Sequence, residues 1–233
     1  MPTDTAPAAV LPAGAAPDLP LLCRWAAGLL LVAPDTAGLA AYRTPAGQAL
    51  LDGLRADPAL APVGAALAGL VAPGADLAAS ATRLAAAHSR AFLMGGLHAI
   101  APYASVWRSP RGLLWQEPAR AMARLLADCG LAVDPSTTEP PDHLGIQLNL
   151  LATLVEREAA GAAVPIPADV FVRDHLLSWL PGLAGACDRL RDPFLYPDLI
   201  RGMTTVLART TDGPRGTPGQ AARQPILHGG SEP

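Results

Sequence analysis

Residues Glu139–Leu154 read EPPDHLGIQLNLLATL. From Leu144 onward the apolar positions Leu144, Leu148, Leu151 and Val155 fall at i, i+4, i+7 and i+11, one face of a 3.6-period helix. This spacing predicts a core helix from Pro141 to about Ala160, closed by Gly161. Pro141 suits a first helical turn, where a missing N–H costs nothing. Glu139 and Asp142 then stand where carboxylates complement the positive end of the helix dipole. Asp142 and His143 together mount an acid and an imidazole at the mouth of the helix. Two readings of that pair follow from local chemistry. Asp142 caps the helix beside a core or surface histidine, or the pair does work as acceptor and donor.

Outward from this helix, the pattern is helical in both directions. Proline and glycine bound apolar-periodic segments at 20–33, 36–42, 45–56, 63–71, 77–94, 117–129, 167–180, 181–190 and 197–209. Between His98 and Leu114 the periodicity fails, and this segment is expected to be a loop, although it holds Tyr103 and Trp107. No segment shows the strict alternation of a half-buried strand, and no internal repeat stands out. The expected architecture is all-α, a single helical domain of about nine or ten helices with short connections. Its expected limits are residues 20–210, with an Ala/Pro-rich disordered tail at 1–19 and a Gly/Pro/polar disordered tail at 211–233.

Composition narrows the functional classes. The chain has 233 residues, 51% of them hydrophobic and 16% charged, with a net charge of −3. No basic stripe marks it for nucleic acid. It contains no lysine, which excludes a standard Walker A phosphate loop and a Schiff-base lysine. Cys23, Cys129 and Cys187 form neither a disulfide framework nor a CxxC motif, so buried free thiols in a reducing cytosol are expected. The most apolar run, Leu19–Ala33, is too short to span a bilayer, and the amino terminus lacks the pattern of a secretory signal. A cytoplasmic protein without stable membrane insertion is expected.

Five histidines are present, and none sits in an HExxH or other metal-ligand spacing. No GxSxG elbow or GxGxxG fingerprint occurs. An Asp142–His143 dyad for general acid–base work stays open as an alternative. The residues point more directly to a helical binding protein with a mixed acidic and apolar site, with no cofactor or metal of its own.

Three motifs in order, PYASVW (Pro102–Trp107), EPPDH (Glu139–His143) and FVRDHLLSWLP (Phe171–Pro181), resemble those of the TorD/DmsD family of molybdoenzyme maturation chaperones. The resemblance covers about residues 20–210. It implies a non-enzymatic, all-helical fold in two sub-bundles joined by a hinge at about 95–114. It implies a molybdoenzyme catalytic subunit and its twin-arginine signal peptide as partners, no nucleic acid, and transient contact with the export machinery. A twin-arginine leader presents two guanidinium groups beside an apolar stretch, so its receptor needs acceptors beside a greasy groove. The resemblance places Asp142, His143, Pro102, Tyr103, Ser105 and Trp107 at that groove, with His88 and Phe92 lining it and Glu139 as a further acceptor. His175 and Trp179 read as structural. The sequence departs at His88 and Ala91, where relatives often carry an aromatic and a leucine, which points to a shallower or more polar groove. The rival readings are a related chaperone whose client has no export signal, such as a nitrate reductase-type or dehydrogenase subunit, and a small helical hydrolase using Asp142 and His143.

Overall fold

A computed structural model describes residues 17–93, 99–132, 138–190 and 194–211. Of the tails expected at 1–19 and 211–233, residues 1–16 and 212–233 lie outside the described residues, as do the Gly95-Gly96 hinge and His98. Eleven α-helices occur among the described residues, and no strand does. They are α1 (Leu19–Leu31), α2 (Thr36–Ala41), α3 (Pro45–Ala56), α4 (Ala61–Leu70), α5 (Leu77–His88), α6 (Ala104–Arg108), α7 (Glu117–Asp128), α8 (Leu144–Ala159), α9 (Ala168–Phe171), α10 (Leu180–Ala186) and α11 (Tyr196–Thr211).

The starts of the early helices are set by short polar side chains. Asp18, Asp35, Thr44 and Asp76 each accept a hydrogen bond from a first-turn N–H of the helix that follows. Proline stands in the first turn of α1, α3, α4, α7 and α10, where its missing donor is harmless.

The core is organised by α8 lying against α1. Leu144, Leu148, Leu150, Leu151 and Leu154 are essentially inaccessible. Gly145 permits the close approach, because a Cβ there would stand 2.7 Å from Leu31 Cγ and 3.1 Å from the Ala27 carbonyl. Gly202 on α11 does the same for the turn before α4, where a Cβ would meet the Ala59 carbonyl at 2.5 Å. Helices from before and after residues 94–98 thus contribute to one continuous core.

Four expectations are corrected. The central helix begins at Leu144, not Pro141, because Pro140–Asp142 forms a turn in which His143 N–H donates to the Pro140 carbonyl (3.0 Å). The segment expected as a loop at 98–114 contains α6, one of eleven helices where about nine or ten were expected. The segment 77–94 is not one regular helix; it passes from α-helix into a π-helical turn at Ser89–Leu93. A second π-helical turn, Val172–Leu176, interrupts 167–180.

Candidate functional site

The aromatic segment and the EPPDH segment meet as two short extended pieces. Tyr103 and His143 form an isolated antiparallel β-bridge. Leu144 N–H donates to the Pro102 carbonyl (2.7 Å), and Ala104 N–H donates to the Asp142 carbonyl (3.2 Å). Two motifs about forty residues apart are thereby held as one bracket at the amino end of α8.

Asp142 is fully buried. It does not cap α8, as local sequence suggests. Its Oδ2 accepts from Ser105 N–H (2.6 Å), so it caps α6 from across the bracket. A helix of five residues cannot stand on its own hydrogen bonds, and this carboxylate supplies what local sequence does not. Asp142 Oδ1 is buried with no hydrogen-bond partner among the described residues. Gln147, one turn into α8, donates from Nε2 to the Asp142 carbonyl (2.7 Å) and leaves its own Oε1 buried and unpartnered.

His143 is the residue that caps α8. Its Nδ1 accepts from Gly145 N–H (3.0 Å), which requires that nitrogen to be unprotonated. Burial, with nearby His88 as a lesser cause, lowers its pKa to about 4. Asp142 and His143 point their side chains at different backbone amides, Ser105 and Gly145 respectively. That arrangement does not form the paired dyad the hydrolase reading requires.

Tyr103 and Glu139 form the accessible edge of the bracket. Both are partly exposed, and the Tyr103 hydroxyl donates to Glu139 Oε2 (2.5 Å). Burial, the hydrogen bond to Glu139 and the charges of Glu139 and Asp142 all raise the Tyr103 pKa, so its proton stays on oxygen. The Tyr103 ring meets His143 edge-on at 5.2 Å.

Ser105 is inaccessible, and its Oγ accepts from Gln116 N–H (3.2 Å). That bond ties the bracket to a loop carrying Leu113, Leu114 and Trp115, which are 52%, 41% and 58% exposed. Trp115 holds φ +60°, an uncommon conformation for a large side chain. Trp107 donates from Nε1 to the Ala101 carbonyl (2.8 Å), and its ring lies over Gly182 of α10. Pro102 is buried in the bracket itself.

His88 and Phe92 are placed differently from the bracket residues. His88 is buried, and its Nε2 donates to the Leu30 carbonyl (3.0 Å), an orphan acceptor in the last turn of α1. His88, Phe92 and Tyr196 form three edge-to-face contacts with centroids 5.1–5.4 Å apart. The residue expected to make the groove shallower or more polar is thus tied into the core. Phe171 and His175 stack at 5.2 Å, and Trp179 is buried, in keeping with their structural reading.

Sequence reasoning missed Gln147, Tyr196 and the Leu113–Trp115 loop. Gln147 had a signal, since it is a polar residue on the otherwise apolar inner face of α8. Tyr196 meets His88 only through tertiary packing, and no local pattern marks it. Among the described residues, no cluster of His, Cys, Asp and Glu could hold a metal ion.

A sequence profile for the family described as nitrate reductase delta subunit matches residues 56–185. The TorD chaperone protein of Psychrobacter sp. (strain PRwf-1) is 33% identical over 162 residues, 67% of this chain and 72% of that protein. The chain belongs to the TorD/DmsD family. It is a TorD-type chaperone, and the relatives it matches are named as chaperones, not as catalysts. The TorD chaperone protein of Ferrimonas balearica is 37% identical over 131 residues, 56% of this chain and 61% of that protein. The matched regions thus span between about half and three quarters of the curated TorD relatives' lengths (55% for that of Vibrio parahaemolyticus). A crystal structure described as a redox enzyme maturation protein from Archaeoglobus fulgidus shares the all-helical fold. Its TM-score is 0.52 at 18% identity, over 82% of this chain and 93% of that one. No helix among the described residues is long and apolar enough to cross a membrane.

Proposed function

We propose that this chaperone binds an arginine-bearing, apolar leader of a molybdopterin-dependent oxidoreductase catalytic subunit in the cytoplasm. By holding the leader, and in some clients the body, it favours cofactor insertion and delays export until the client is mature. One observation carries this reading. Among the described residues, Asp142 Oδ1 and Gln147 Oε1 are buried acceptors without a donor, in the same bracket whose partly exposed Tyr103–Glu139 edge carries the Glu139 carboxylate. A buried acceptor left unpaired is costly, and an arginine side chain offers five donors in a planar fork. Asp142 is inaccessible, so a guanidinium reaches Oδ1 only when the Tyr103–Glu139 edge parts. The exposed Leu113, Leu114 and Trp115 offer apolar contact for the residues beside the arginines.

The family profile carries the description nitrate reductase delta subunit, which favours a second reading in which the client has no export leader. Titration of a labelled leader-like peptide separates the two. An Arg-Arg peptide is expected to bind about tenfold or more tightly than its Gln-Gln counterpart, with Glu139→Gln and Asp142→Asn erasing the difference. Equal binding of both peptides to the native chain would remove leader recognition and leave the client's body as the partner.

A further inference from the structure

The bracket is not the only surface shaped for a partner. On another face of α1 lies a cavity of about 650 Å³, open to solvent and walled by α1, α2 and α3. The geometry of α1 explains why it exists. Its sequence, LPLLCRWAAGLLL, is apolar all round except for Arg24, the composition of a helix covered on every side. Ala27 and Leu31 face α8 at Gly145. Leu21, Trp25, Gly28 and Val32, spaced i, i+4, i+7 and i+11, face the cavity instead.

Two details show that this face is open. Val32, at the rim, is 70% exposed. A Cβ placed on Gly28 would meet nothing within 4 Å. The floor is rigid, since the Trp25 indole donates to the Tyr42 hydroxyl (2.8 Å) and Tyr42 is buried.

The charge distribution indicates what fits. Among the described residues, Asp35 is the one charged residue lining the cavity, at the end where α1 gives way to α2. It is exposed, and its Oδ1 is engaged by Gly38 N–H (2.8 Å), which leaves Oδ2 facing solvent. Among the described residues, no basic side chain lines the groove. We infer that the α1–α2–α3 groove is a second docking surface, which takes an apolar peptide segment of a client with a basic residue at the Asp35 end. An anionic segment is disfavoured there, because Asp35 repels it and no basic side chain among the described residues lines the walls. The site is separate from the bracket, so its occupation does not depend on how the leader is held.

The test uses the full chain and a labelled Leu/Ala-rich peptide with a single amino-terminal Lys, compared with the same peptide carrying Glu. The blocking variant is Gly28→Leu, which fills the groove from a position that meets no neighbour and replaces a poor helix former in mid-helix, so the fold is kept. Asp35→Asn removes the charge while retaining an N-capping side chain. The expected result is saturable binding of the Lys peptide and a loss of about tenfold or more on Gly28→Leu. The preference for Lys over Glu should vanish on Asp35→Asn, and Asp142→Asn should bind this peptide as the native chain does. Binding unaffected by Gly28→Leu, or no binding at all, overturns the inference. It is equally overturned if the native chain sediments as a dimer that Gly28→Leu dissociates, which makes a second copy the occupant. The same holds if the peptide binds only after residues 1–16 are deleted, which makes the chain's own amino-terminal segment the occupant.

Discussion

Replacing Asp142 in two ways separates its two carboxylate oxygens. Oδ2 caps α6 through Ser105 N–H, and that contact is fully buried. Asp142→Ala removes the cap and strands the Ser105 N–H away from water. Losing a cap costs about 1 kcal/mol and orphaning a buried donor about 1–3 kcal/mol. The two describe the same bond, so the expected loss is about 2–3 kcal/mol and not their sum. Asp142→Asn keeps an acceptor oxygen for Ser105 and withdraws a carboxylate whose Oδ1 has no partner among the described residues. Its stability is expected within about 0.5 kcal/mol of the native chain, or higher. Urea unfolding with a constant slope measures both, and hydrogen exchange at the Ser105 amide reports the α6 docking directly. This division between the two oxygens fails if Asp142→Asn falls as far as Asp142→Ala, since the charge itself would then hold the bracket. It also fails if Asp142→Ala is as stable as the native chain.

Three further outcomes are expected. His143 has a folded pKa near 4 against the ordinary 6.5, so its contribution is complete above pH 6.5 and is lost as the pH falls toward 4. Stability should therefore decline by no more than about 1.4 kcal/mol per pH unit across that window, and His143→Asn, which keeps an N-cap acceptor, should flatten the decline in urea midpoints. Gly145→Ala should cost about 1–3 kcal/mol by forcing α8 off Leu31 and the Ala27 carbonyl, read as a lowered thermal midpoint. Burial raises the thiol pKa of Cys23 to about 12 and of Cys187 to about 11, and raises that of Cys129 as well. Iodoacetamide should accordingly leave the native thiols largely unmodified and alkylate all three in denaturant, counted by mass spectrometry.

The all-helical class was legible because prolines, glycines and capping residues bound nearly every apolar-periodic segment. Pro45–Ala56 was read to the residue. The displaced start of α8 was not legible, since Asp142 is recruited by Ser105, 37 residues away, and the cap passes to His143. For the same reason α6 was invisible, because a five-residue helix that depends on a distant carboxylate leaves no periodic trace. The bracket residues were readable as motifs, but their division of labour was not. Which oxygen of Asp142 is spent on the fold and which is left open depends on tertiary geometry alone. His88 illustrates the limit from the other side, since its partner, the Leu30 carbonyl, is a backbone group 58 residues away.

The central claim is that the bracket receives a molybdoenzyme client through its acidic, donor-poor interior. The most direct measurement is capture from native-host lysate with tagged native chain beside tagged Asp142→Asn, with bound proteins identified by mass spectrometry. The expected result is a molybdopterin-dependent catalytic subunit held by the native chain and lost from a variant that remains folded. Equal recovery of that subunit by both chains would contradict the claim.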